Sequence, residues 1–120
     1  MQVRLLEGRW SAEDILLRLE GEKRPFALDS AQSNDGLGEW SFFGANPFEL
    51  VTGDAGLGAL RAAMQPYARQ SSGEIPFTGG AVGYLAYDYG RRLERIPEQA
   101  VDDRAIPDLC FGLYDGIAAL

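Results

Sequence analysis

The nine residues Gly79 to Tyr87, GGAVGYLAY, constrain the fold more than any other stretch of the chain. In an extended conformation Val82, Tyr84 and Ala86 share one face, while Ala81, Gly83, Leu85 and Tyr87 share the other. A glycine inside a strand marks a bulge or a close approach by a second backbone. The segment therefore predicts a strand that carries either a bulge or a close backbone neighbour. It does not predict a phosphate loop, because neither G-x-G-x-x-G nor G-x-x-x-x-G-K-[ST] is present. A catalytic tyrosine would need a cation or base to bring its pKa down from about 10, and Arg91 and Arg92 are near only in sequence. Asp88 is placed to cap a short helix over Tyr89–Arg95. On these residues the segment is scaffold.

The remaining pattern alternates short strands with short helices. QVRLLEG reads as a first strand. Ser11 then offers a helix cap, with Asp14 three residues on where a capping box would carry Glu or Gln. Ile15, Leu16 and Leu19 fall on one helical face, and Gly21 supplies a stop. PFALDSA and EWSFFGA, separated by the turn-forming QSNDGLG, predict a hairpin over residues 25–45. Phe48 to Thr52 predicts another strand after the Asn46-Pro47 turn. A helix follows from about Gly56, with Leu57, Leu60, Met64 and Tyr67 as its core-facing stripe and Pro66 near its end. PEQAVDDRAIP reads as a surface loop and DLCFGLYDGIAAL as a last strand. Strands outnumber helices and the turns suit antiparallel pairing, so the expected class is α+β, a mostly antiparallel sheet with two or three helices packed on it.

Composition narrows the chemistry. At 120 residues the chain suits one domain that buries roughly two-thirds of its extended surface. Its net charge of −7, with no basic cluster beyond Arg91, Arg92 and Arg95, opposes nucleic-acid binding. No apolar run approaches the roughly 20 residues that span a bilayer, and no h-region with a cleavage site opens the chain. The expectation is no membrane association and a cytoplasmic location. With no histidine, His-assisted nucleophiles and His-ligated metals are excluded within this chain. The one cysteine, Cys110 in LCFGLY, reads as a small buried hydrophobe. LYDGIAAL ends in an apolar stretch without a cap, which suggests a piece of a longer polypeptide.

Four segments, in order, carry a family likeness: PFALDSA, GEWSFFGANPFE, GGAVGYLAYDYGRRLERIP and IPDLCFGLYDGI. Together they resemble the N-terminal region of the chorismate-utilising component I enzymes, anthranilate synthase component I and aminodeoxychorismate synthase component I. The likeness touches nearly all of residues 1–120, and the tyrosine-rich YDYGRRLE looks more like the aminodeoxychorismate, or folate, branch. The resemblance implies a non-catalytic α+β domain that packs against a larger C-terminal chorismate-binding region. That region would hold the Mg²⁺ of the intact enzyme; no cofactor is expected in this segment. A glutamine amidotransferase component would deliver the ammonia that aminates chorismate.

The resemblance also implies a tryptophan-type pocket, with Asp29 and Ser30 at its rim and Trp40 on the paired strand. A carboxylate there would meet the ligand ammonium and aromatics would enclose an indole. Asp29 stands where glutamate is usual in the tryptophan branch, and Glu39 stands where a basic residue is common. Read from the residues alone, Asp29 and Ser30 equally suit capping the turn at Gln32–Gly36. With half the pocket contributed from elsewhere, tryptophan affinity of this chain alone is expected to be weak or absent. An exposed apolar face and self-association are expected too. The alternatives are the N-terminal domain of an anthranilate synthase component I and a free-standing amino-acid-binding or interaction module.

Overall fold

The computed structural model describes residues 4–30, 38–68, 73–95, 97 and 105–120. Residues 4–10 form no strand, contrary to the expectation for QVRLLEG, and Leu5 is 90% exposed. Apolar content alone makes no strand; that takes a partner to satisfy the backbone, and none is present here among the described residues.

Helix α1 covers Ala12–Arg18, and the predicted capping box is complete. The Ser11 hydroxyl accepts from the Asp14 N–H at 3.1 Å, while Asp14 Oδ2 accepts from the Ser11 N–H at 2.9 Å. Leu19 closes the helix and Gly21 follows at φ 85°. The two Ser11 hydrogen bonds, backbone first, hold the Asp14 carboxyl below its ordinary value of 3.8. A carboxyl lowered in the folded state contributes stability above its unfolded pKa and loses it as pH falls through the folded one. Acidification below 3.8 is thus expected to release this cap before the sheets melt. The check is an NMR pH titration, in which the Ser11 and Asp14 amide shifts should move ahead of the signals of β5; simultaneous movement would contradict it.

Strand β1 (Phe26–Leu28) pairs antiparallel with β2 (Phe42–Gly44), as the hairpin reading expects, with Leu28 opposite Phe42. The predicted turn at Gln32–Gly36 lies outside the described residues. Strand β3 (Glu49–Thr52) leads through a short 3-10 turn into α2 (Gly56–Met64), and a further 3-10 turn, Gln65–Tyr67, contains Pro66. Strand β4 (Gly80–Leu85) is the segment singled out first above. The turn after it is a 3-10 helix, Tyr87–Arg92, with no side-chain cap; Asp88 instead pairs with Arg91 at 3.1 Å.

Strand β5 (Leu109–Tyr114) lies between β3 and β4, antiparallel to both. The last apolar stretch is not one strand. It breaks at Asp115–Ile117, and β6 (Ala118–Ala119) joins β2 in the other sheet. The architecture is α+β, two three-stranded antiparallel sheets ordered β1-β2-β6 and β3-β5-β4.

The core sits on one face of β3-β5-β4, where Val51, Leu109 and Leu113 meet Tyr89, Ala59, Leu60 and Ala63. Of the expected helical stripe only Leu60 packs there; Leu57, Met64 and Tyr67 are exposed. The helix docks through its alanines because small side chains let it approach the sheet closely. The Tyr89 hydroxyl accepts from the Leu57 N–H at 3.1 Å, satisfying a donor in the first turn of α2. On the opposite face the Tyr114 ring folds over Gly112, occupying the space a side chain there would fill. Phe26 meets that ring edge-on at 4.8 Å, and the Tyr114 hydroxyl donates to the Arg24 carbonyl at 2.9 Å. These contacts join the two sheets.

Candidate functional site

The β1–β2 ladder aims Asp29 and Ser30 at Ser41. One step past the Leu28–Phe42 pair, the buried Ser41 hydroxyl donates to Asp29 Oδ1 at 2.7 Å. Ser41 Oγ also accepts from the Ser30 N–H at 3.1 Å. The Ser41 backbone exchanges both of its hydrogen bonds with Leu120, at 2.8 and 2.9 Å. Asp29 and Ser30 are exposed, so one carboxylate oxygen is pinned from below while the rest of the group faces outward. This arrangement can accept hydrogen bonds from an ammonium at a fixed position.

Trp40 lies on the other face of the strand. It stacks on Phe42 at 6.2 Å with 10° between the rings, as residues two apart on one strand face do. Phe42 in turn meets Phe77 edge-on at 5.5 Å, making a row of three aromatics. The structure thus brings Asp29 and Ser30 together at Ser41, and it groups Trp40 with Phe42 and Phe77 instead.

Ser41 is the residue that the sequence reading leaves out of the site. Its signal lies in EWSFFGA, where a serine is placed between two aromatics in a strand. Alternation puts Ser41 on the side of the fully buried Phe43, and a buried hydroxyl needs partners across the strand.

Other polar side chains do less. Cys110 is half-buried, with Arg24 Nη1 donating to its sulfur at 3.8 Å. Arg92 pairs with Asp108 at 3.3 Å and lies over the Tyr89 ring. Among the described residues no group of three or more His, Cys, Asp or Glu is placed to hold a metal ion. No described helix is long and apolar enough to cross a membrane.

No protein-family model matches the chain. Individual proteins do. Anthranilate synthase component 1 of Mycobacterium tuberculosis is 38% identical over 117 residues, covering 79% of this chain and 23% of that protein. Aminodeoxychorismate synthase component 1 of Salmonella typhimurium is 43% identical over 67 residues, or 54% of this chain and 15% of the relative. The Escherichia coli protein of the same name is 50% identical over 42 residues, or 35% of this chain and 9% of the relative. The chain thus spans about a quarter or less of the length of these curated relatives, and it corresponds to their N-terminal part. Homology places the chain with the N-terminal part of anthranilate synthase component 1 and aminodeoxychorismate synthase component 1.

Proposed function

We propose that the chain is the non-catalytic N-terminal domain of an aminodeoxychorismate synthase component 1. The observation that carries the domain part of this reading, in either branch, is the match to an anthranilate synthase component 1: 38% identity extends over most of this chain but under a quarter of the relative. The choice of branch is supported by the higher identities of the shorter aminodeoxychorismate synthase matches, 43% and 50%. The wider coverage of the anthranilate synthase match, 79% of the chain, favours a second reading, the corresponding domain of anthranilate synthase component 1.

In either case these residues supply scaffold and the chorismate-binding region belongs to the rest of the parent polypeptide, together with Mg²⁺ and the contacts to a glutamine amidotransferase. In keeping with this division, Leu5, Leu6, Leu16, Leu17 and Leu50 are exposed, apolar side chains available to a further region of the parent polypeptide. The Asp29–Ser30 corner is one wall of a tryptophan-type pocket, and its affinity for the amino acid is weak without the opposite wall.

The purified chain is expected to form no aminated product from chorismate, ammonia and Mg²⁺. Product above the uncatalysed background would overturn the scaffold reading. Assay of the parent polypeptide separates the branches: aminodeoxychorismate is expected, and anthranilate would move the chain to the second reading. Calorimetry showing micromolar tryptophan binding to the chain alone would refute the half-pocket.

A further inference from the structure

Ser41 has only one hydroxyl proton, and the structure commits it to Asp29. One of the oxygen's two lone pairs accepts from the Ser30 N–H. Two consecutive residues of β1's extension are therefore fixed by one atom on the neighbouring strand. That atom is itself held from two sides. Ser41 is only 7% exposed, and its backbone is locked to Leu120 through both its N–H and its C=O. An exposed aspartate on a strand end ordinarily samples several rotamers, which costs ordering entropy when it takes up a ligand. Here one carboxylate oxygen is anchored to a buried donor, so that cost is met before binding.

We propose that Ser41 is the positioning residue of the Asp29–Ser30 corner, orienting the Asp29 carboxylate toward the ammonium of an amino-acid ligand. The inference rests on the pocket reading given above. Ser41 does not touch the ligand; it acts through Asp29 and through the backbone of Ser30.

Two measurements on the ¹⁵N-labelled protein test it. Without ligand, Ser41→Ala should raise amide exchange at Ser30 by about tenfold, the equivalent of one lost hydrogen bond. Leu120 and the β5 amides should keep their protection, and Ser41→Thr, which retains the hydroxyl, should restore that of Ser30. Asp29→Ala provides a second variant at an exposed position, should Ser41→Ala fail to fold. It frees the hydroxyl to rotate and should likewise speed exchange at Ser30 alone. Unchanged Ser30 exchange in both Ser41→Ala and Asp29→Ala, or a uniform loss of protection that Ser41→Thr shares, overturns the proposal.

With L-tryptophan as probe, shifts of the Asp29, Ser30 and Ser41 amides should report weak binding. Ser41→Ala should weaken it by about tenfold and Ser41→Thr by no more than about threefold. Equal affinity in wild type and Ser41→Ala would refute the positioning role and leave the pocket standing. If these amides do not respond to tryptophan either in this chain or in the parent polypeptide, the pocket reading falls, and the ligand-directed role of Ser41 falls with it. The exchange arm then still decides whether Ser41 orders the corner.

Discussion

Replacing Gly83 with alanine is expected to lower the unfolding free energy by on the order of 3 kcal/mol, whereas the same change at Gly58 should raise it slightly. A Cβ on Gly83 would lie 2.0 Å from the Cys110 carbonyl oxygen and 2.6 Å from Phe111 Cα. Both belong to the backbone of β5, so no side chain can rotate away. Nor can β5 retreat, because β3 holds its other edge through four register pairs from Glu49 to Thr52. Relief would have to come from β4, by breaking a ladder that runs from Gly80 to Leu85. Gly58 is the matched control. It lies within α2 with nothing within 4 Å of a built Cβ, and alanine is the better helix former by about 0.8–1 kcal/mol. Urea unfolding followed by circular dichroism reads both. A Gly83→Ala unfolding free energy within about 0.5 kcal/mol of wild type would show that β4 and β5 are not so close.

The strand around that glycine is legible in the sequence, but whether the glycine marks a bulge or a close approach takes the register with β5. Alternation in GGAVGYLAY gave a strand, Ser11 with Asp14 gave a capped helix, and the two runs flanking QSNDGLG gave an antiparallel pair. Each of these is decided by neighbours in the chain. What escaped was decided by partners far away. Nothing in QVRLLEG says whether another strand lies alongside it. DLCFGLYDGIAAL reads as continuous because a sequence does not show that its end pairs with β2 and its start with β3.

The helix stripe failed for a related reason. Periodicity locates an apolar face, but the sheet chose the alanine side, where closer packing is possible. The site divides in the same way. Asp29 and Ser30 were found through a family motif, whereas Ser41 needed the register, since only pairing puts its hydroxyl beneath them.

Leu113→Ala is expected to be the most damaging change among the side chains of the core, lowering the melting temperature by on the order of 15 °C. Leu113 is 1% exposed and sits at the centre of the cluster formed with Val51, Tyr89 and Leu109, under Ala59, Leu60 and Ala63 of α2. Truncating a buried leucine costs about 2–5 kcal/mol, the larger values arising where surroundings cannot close over the cavity. Leu113 lies between Glu49 of β3 and Ala81 of β4 in the register, so the sheet fixes the floor of that cavity. Its lid is set by Ala59, Leu60 and Ala63 of α2, and the two alanines have no side chain long enough to extend into it. Among the described residues so few are fully buried that this loss is a large share of the roughly 5–15 kcal/mol typical of a domain. Leu50→Ala is the contrast. Leu50 is next to Val51 on β3 but points to the opposite face of the sheet, where it is exposed, and its truncation should cost less than about 1 kcal/mol. Thermal melts of the two variants decide between the faces. If Leu50→Ala proved as damaging as Leu113→Ala, the interior would lie on the side of the sheet away from α2, and the packing of β3-β5-β4 described above would be inverted.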